Sequence, residues 1–164
     1  MSSFKIGDKV VYPGQGVGEW VGIEHQEIMG QRQSFYVLRI IEKDVRILIP
    51  INKVDSVGVR DVISNDDAKK VYRILKKKDV VVDATTWNRR YREYTEKIKT
   101  GSVFEIAEVL RDLYTLKFDK DLSFGERKMF DTARALLITE LAIAKECEED
   151  DIERDFSKIF ANAA

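Results

Sequence analysis

Seven of the nine glycines, Gly7 to Gly58, and both prolines, Pro13 and Pro50, lie in residues 1–60, and only Gly101 and Gly125 follow. Glycine and proline set the tight turns between short strands and interrupt helices, so their distribution divides the chain into two parts built by different rules. The break falls near Asp61 and predicts two domains, 1–60 and 61–164.

In the first part, runs rich in Val, Ile, Phe and Tyr occupy Lys9–Tyr12, Gly18–Ile28, Ser34–Ile41 and Val45–Ile49, with a fifth at Ser56–Val59. Turn signals separate them at Pro13-Gly14, Met29-Gly30 and Lys43-Asp44. Five short antiparallel strands predict a small β-barrel of the SH3 or Tudor kind. Its open edges suit an interaction module better than a reaction vessel.

From Asp61 the apolar residues recur at the helical period, and five helices are expected. Ser64-Asn65-Asp66-Asp67 caps the first, over 66–78, and the second runs from Thr86 to Gly101. Ser102 with Glu105 and Ser123 with Glu126 fit the reciprocal capping box that satisfies free N–H groups at a helix start. The fourth helix reaches Cys147, Glu149–Phe160 forms the fifth, and Asp79–Thr85 is the flexible joint. The expected fold class is α+β: a small Tudor/SH3-like barrel, then an all-α domain of five helices.

With 28 Lys+Arg against 29 Asp+Glu the net charge is −1, so no bulk attraction to nucleic acid operates. No apolar run approaches the about 20 residues of a spanning helix. The start, MSSFKIGDKV, lacks the apolar stretch of a secretory signal, and a cytoplasmic protein is expected. One cysteine, Cys147, and one histidine, His25, allow no internal disulfide and show no metal-ligand spacing, so neither metal nor other cofactor is expected.

The neutral total hides two local excesses. Lys69–Lys99 holds eleven basic residues against four acidic, a net +7, and Glu140–Asp155 holds eight acidic against two basic, a net −6. A basic segment beside aromatic residues is the footprint of polyanion binding, although a solvated helix face has the same composition. The run Thr85-Thr86-Trp87-Asn88-Arg89-Arg90-Tyr91-Arg92 is more specific. Cations in a first helical turn face the positive end of the helix dipole and lose about 0.3–1 kcal/mol apiece, so Arg89 and Arg90 call for an anionic partner. Trp87, Tyr91, Tyr94 and Ile98 recur at i, i+4, i+7 and i+11 as one apolar stripe. That spacing predicts core for Tyr91, Tyr94 and Ile98; Trp87, the terminal member, could pack or project.

Catalytic readings fail on context. Gly14-x-Gly16-x-Gly18 is followed by a strand, whereas a dinucleotide-binding loop opens a helix. His25 alternates with apolar neighbours as a solvent-facing strand residue, and the acidic run after Cys147 should raise its pKa. The chain is expected not to be an enzyme.

Five motifs then stand out: Asp8-Lys9-Val10-Val11-Tyr12-Pro13, Val57-Gly58-Val59-Arg60-Asp61-Val62, Trp87-Asn88-Arg89-Arg90-Tyr91, Ile106-Ala107-Glu108-Val109-Leu110-Arg111-Asp112-Leu113 and Leu122-Ser123-Phe124-Gly125-Glu126-Arg127-Lys128-Met129. From about Phe4 to the last helix the sequence resembles the CarD/CdnL family of bacterial transcription regulators, and closely its CdnL-type members. The resemblance implies an N-terminal Tudor-like domain, shared with the transcription-repair coupling factor, that docks on the β subunit of RNA polymerase. It also implies a helical domain at the upstream edge of the transcription bubble, where a tryptophan wedges into the minor groove and stabilises the open complex.

Carried onto this chain, the resemblance makes Trp87 the wedge and Arg89, Arg90 and Arg92 the phosphate contacts. Its polymerase-facing positions are Gln26, Ile28, Phe35, Val37, Leu48 and Pro50. Gln26 and Leu48 stand where some relatives carry basic residues, which implies a more apolar contact here. The acidic final region resembles the short form of the family, not members with a basic tail. The implied partners are RNA polymerase β and promoter DNA of weak sequence specificity, including ribosomal RNA promoters. The implied state is a monomer, off the membrane, associated with the nucleoid through polymerase. A protein–protein adaptor whose helical domain binds an acidic protein is the rival reading, and a DNA titration against salt separates the two.

Overall fold

The computed structural model describes residues 4–77, 87–119 and 121–161, with the backbone alone at 87–89, 118 and 119. The joint expected at Asp79–Thr85 lies outside the described residues. The chain forms two compact units, Met1–Val62 and Ile63–Ala164.

The first unit is a five-stranded antiparallel sheet of β1 (Lys9–Tyr12), β2 (Gly16–Ile28), β3 (Gln31–Ile40), β4 (Val45–Pro50) and β5 (Arg60–Asp61), in the order β4-β3-β2-β1-β5. Met29 and Gly30 join β2 to β3 with φ of 52° and 78°, the two-residue turn whose twist matches that of paired strands. At the last expected strand, Ser56–Val59, the chain instead ends a one-turn helix, α1 (Val54–Val57), which follows a 3-10 turn at Ile51–Lys53. There the Ser56 hydroxyl donates to the Lys53 carbonyl at 2.8 Å, a local bond that competes with strand pairing, and Gly58 at φ 84° ends the turn. The strand follows as β5, paired with Val10 and Val11.

Register decides which residues share a face. Gly18 pairs with Ile40 and Trp20 with Leu38, and a bulge between Trp20 and Gly22 then reverses the alternation. Before the bulge, β2 faces a core of Val10, Trp20, Leu38, Ile40, Ile49, Val54 and Val59. A Cβ at Gly18 would come 2.7 Å from Cγ of Leu38, which is fully buried, so glycine leaves the space that the Leu38 side chain fills. After the bulge Gly22, Glu24, Gln26 and Ile28 lie opposite Val37, Phe35, Gln33 and Gln31.

The second unit holds the five expected helices: α2 (Asn65–Lys76), α3 (Trp87–Lys99), α4 (Val103–Asp119), α5 (Phe124–Ala144) and α6 (Glu149–Ala161). Helix α4 packs against α2, α3 and α5, and α6 closes on α5 and α2. Their shared core includes Val71, Leu75, Tyr94, Ile98, Leu110, Leu113, Leu137, Leu141, Ile152 and Phe156. Ser64 Oγ caps α2 by accepting from Asp67 N at 3.1 Å, and Ser123 and Glu126 form the full capping box of α5. Glu105, expected to pair with Ser102, instead accepts from Thr100 Oγ1, which itself accepts from Ser102 N at 3.2 Å. Three members of the acidic run tie the helical unit together: Glu140 accepts from Ile63 N at 3.0 Å, Thr139 Oγ1 donates to Glu149 at 3.0 Å, and Tyr72 Oη donates to Asp155 at 2.8 Å. No helix among the described residues is long and apolar enough to cross a membrane.

Candidate functional site

Two surfaces hold the residues singled out from the sequence, one in each unit. In the sheet, Phe35 pairs with Pro50 and Val37 with Leu48, and across β2 the same residues meet Glu24 and Gly22. Direct partners share a face, so Gln26, Ile28, Phe35, Val37, Leu48 and Pro50 all lie on one side of the sheet. Their exposure differs. Phe35 and Val37 are buried on the inner strand β3, while Ile28 is 43% and Leu48 37% exposed, Gln26 is exposed and Pro50 half-buried. The open edges at this face are β4 and, beyond Gly22, the outer side of β2, which pairs only with β3 there among the described residues. Exposed Ile23 and Met29, 98% exposed at the turn, add apolar surface to the β2–β3 arm that sequence reasoning passed over.

In the helical unit α3 starts at Trp87, whose side chain, like that of Arg89, lies outside the described ones. Arg90 is described, and its position changes its role. It is buried, with its guanidinium 3.7 Å from Glu126 Oε2. The expectation that Arg90 contacts phosphate is therefore corrected: the anion that offsets a cation in this first turn is internal, a carboxylate of α5. Arg90, Tyr94 and Ile98 are spaced i, i+4 and i+8 and form the packed stripe, with all three buried. Tyr91, expected in the core, is 47% exposed, and Arg92 beside it is exposed. Both stripes contain Tyr94 and Ile98, and the residue buried one turn before Tyr94 is the arginine, not Tyr91.

Tyr94 Oη donates to Asp112 Oδ2 at 3.4 Å. Burial, then the negative Asp112, pushes the Tyr94 hydroxyl well above its ordinary pKa, and burial likewise raises the Asp112 carboxyl against the opposing pull of Arg111. Lys97 Nζ reaches Glu108 at 2.8 Å, a second tie between α3 and α4.

Glu126 has a second role. Its Oε1 accepts from Ser123 N at 2.9 Å, so the carboxylate that completes the α5 cap also holds Arg90. The first turn of α3 is thereby pinned to the first turn of α5. Next to Arg90 stand the exposed Tyr91 and Arg92, and next to Glu126 stand Arg127 and Lys128, both exposed, with Phe124 86% exposed. Phe124, Arg127 and Lys128 were missed as site candidates. Their signal was an aromatic at a helix start, off the apolar stripe, with two cations in the next turn.

Two residues weighed as catalytic groups sit as ordinary structural ones. His25 is an exposed strand residue with Nδ1 2.7 Å from Ser34 Oγ, and burial followed by the Asp151 charge raises the Cys147 thiol, which disfavours the thiolate.

Comparison with known proteins accounts for both units. Residues 4–63 match the family model of the CarD-like/TRCF RID domain, and residues 70–157 that of the CarD C-terminal domain. A curated protein of Bacillus subtilis, described as putative transcription factor YdeB, is 37% identical over 152 residues, 92% of this chain and 97% of its own. The solved N-terminal domain of CdnL from Myxococcus xanthus is 71% identical and covers 40% of this chain and 92% of its own, with a TM-score of 0.35. The solution structure of the N-terminal domain of Myxococcus xanthus CarD is 36% identical, covering 37% of this chain and 84% of its own, with a TM-score of 0.30. A Tudor-like sheet unit ahead of a helical unit, matched in both parts, makes this a two-part transcription regulator. The chain belongs to the CarD/CdnL family.

Proposed function

We propose that this protein bridges RNA polymerase and promoter DNA, without catalysis, and prolongs the life of the open complex. The observation that carries the reading is the Arg90–Glu126 clamp, which holds the start of α3, where Trp87 begins the helix, beside the cation-rich start of α5. A rigidly held helix start flanked by exposed Arg92, Arg127 and Lys128 suits a double helix, whose phosphates take the cations while a ring enters a base step. Unstacking one step costs a few kcal/mol, which an aromatic wedge and two or three phosphate contacts can offset. In this reading Trp87 is the wedge, Arg89 and Arg92 touch phosphate, and Arg90 positions them.

The sheet unit docks on the polymerase β subunit through its open β4 edge and the exposed apolar residues beside it. Residues 1–60 carry eight basic and seven acidic residues, so long-range attraction contributes little, and main-chain bonds at an edge with apolar contact are what remains. Phe35 and Val37 are the buried part of this face; Leu48 and Ile28 are its accessible part. Leu48→Glu places a charge on the exposed face while leaving the core untouched.

The deciding experiment follows open-complex lifetime on a ribosomal-RNA-type promoter with and without the protein, alongside capture of the isolated β-subunit lobe. A longer lifetime that Leu48→Glu abolishes together with β-lobe capture supports the reading. An unchanged lifetime, or a DNA affinity independent of salt, would exclude the DNA-bridging role.

A further inference from the structure

Helix α2, the end of α5 and α6 enclose a groove whose sides carry Lys69, Arg73, Lys76, Lys145 and Lys158. Tyr72 and Asp155 also line it, so five cations stand against one carboxylate, a net +4. That carboxylate is already engaged: Tyr72 Oη donates to it at 2.8 Å, and Lys145 Nζ lies 3.5 Å from it and 4.5 Å from the centre of the Tyr72 ring. Arg73, Lys76 and Lys158 have no ion-pair partner among the described residues, and Lys69 has only an exposed contact with Asp66 at 4.0 Å. Placement in a last helical turn favours Arg73, Lys76 and Lys158 one by one, but Lys69 lies near the start of α2, and the mutual repulsion across one groove remains.

Lys69, Arg73 and Lys76 follow one another at i, i+4 and i+7, lining a wall about 10 Å long. Among the described residues the Tyr72–Asp155 hydrogen bond joins the α2 and α6 walls across the groove, so at that point only two side chains separate them. A double helix, whose major groove alone is about 12 Å across, could rest only on the rim. We infer that this groove binds an oligophosphate, a chain of linked phosphate groups, free or carried on a nucleoside. The chain lies along the α2 cations, with Lys158 and Lys145 closing over it and the Tyr72 ring beside its middle. This site is separate from the starts of α3 and α5 and does not depend on the function proposed for them.

Calorimetric titration of the full chain at constant ionic strength tests it, with tripolyphosphate, orthophosphate, a nucleoside triphosphate and a short DNA duplex as titrants. Expected are saturable one-to-one binding of tripolyphosphate, at least about tenfold tighter than orthophosphate, and an about tenfold or greater loss in Arg73→Gln/Lys158→Gln with unchanged melting temperature. If that variant melts early, Lys76→Gln, at an exposed position, should still weaken tripolyphosphate. A nucleoside triphosphate that binds as tightly means the phosphate chain alone is read; tighter binding means the nucleoside is held as well, and both support the site. Absence of saturation, equal affinity for orthophosphate, or indifference to the substitutions would overturn it. Duplex binding that needs Arg73 and Lys158 while tripolyphosphate does not bind would make the groove a DNA surface instead.

Discussion

Arg90 of α3 and Glu126 of α5, 36 positions apart in the chain, face each other at 3.7 Å with side chains 9% and 1% exposed and join two helix starts. Burying an ion pair is expensive, and removing one partner leaves the other charge stranded. Arg90→Ala and Glu126→Ala should therefore each lower stability by about 3–5 kcal/mol in urea unfolding. Dipole relief of about 0.3–1 kcal/mol, which taken alone predicts a gain for Arg90→Ala, is the smaller effect. Glu126→Gln can keep the capping box and loses only the charge, so near-wild-type stability in that variant would show that the cap, not the pair, is what matters.

Trp87→Ala should leave the fold and capture of the β-subunit lobe intact and remove the effect on open-complex lifetime. Circular dichroism and thermal melting decide whether the ring acts on DNA or within the protein. A loss of about 3–5 kcal/mol, the usual result of truncating a buried tryptophan, would sink the wedge.

Arg92→Ala and Arg127→Ala, both at exposed positions, should weaken DNA uniformly across sequences and each lower the slope of log affinity against log salt by roughly one. Stability should change by less than about 0.5 kcal/mol in both, as at other exposed positions. Fluorescence anisotropy at four salt concentrations reads the slope, and an unchanged slope in the double variant would remove these residues from the DNA surface.

Alkaline stability offers a check on the helix packing. Tyr72 and Tyr94 are both raised above the ordinary value of 10.0, first by burial and then by Asp155 and Asp112 respectively. The unfolded chain therefore loses these protons first, so the stabilisation is complete below about pH 10 and is lost as pH rises above it. Melting temperature should fall steeply from about pH 10 upward, and Tyr72→Phe with Tyr94→Phe should flatten that fall. An unaltered slope in the double variant would mean that neither hydroxyl is held neutral by the fold.

Local chemistry was readable in the linear order of residues. Ser64 and Ser123 announced helix starts because a hydroxyl caps N–H groups only three residues away, and the Met29-Gly30 turn and the glycine boundary near Asp61 likewise act within a few residues. The strand at Ser56–Val59 failed on that same short scale, where a hydroxyl-to-carbonyl bond and the turn before Gly58 outweighed a run of β-formers.

Packing at a distance settled the sites. A one-residue bulge at Trp20/Gly22 reversed the facing of β2 and so brought Gln26 and Ile28 to the side of Leu48 and Pro50. Periodicity admitted Tyr91 or Arg90 to the buried stripe of α3 equally well, since both are one turn from Tyr94. Burial of an arginine is favourable only where a distant carboxylate meets it, and the partner, Glu126, becomes its neighbour only when α3 and α5 close on the same core.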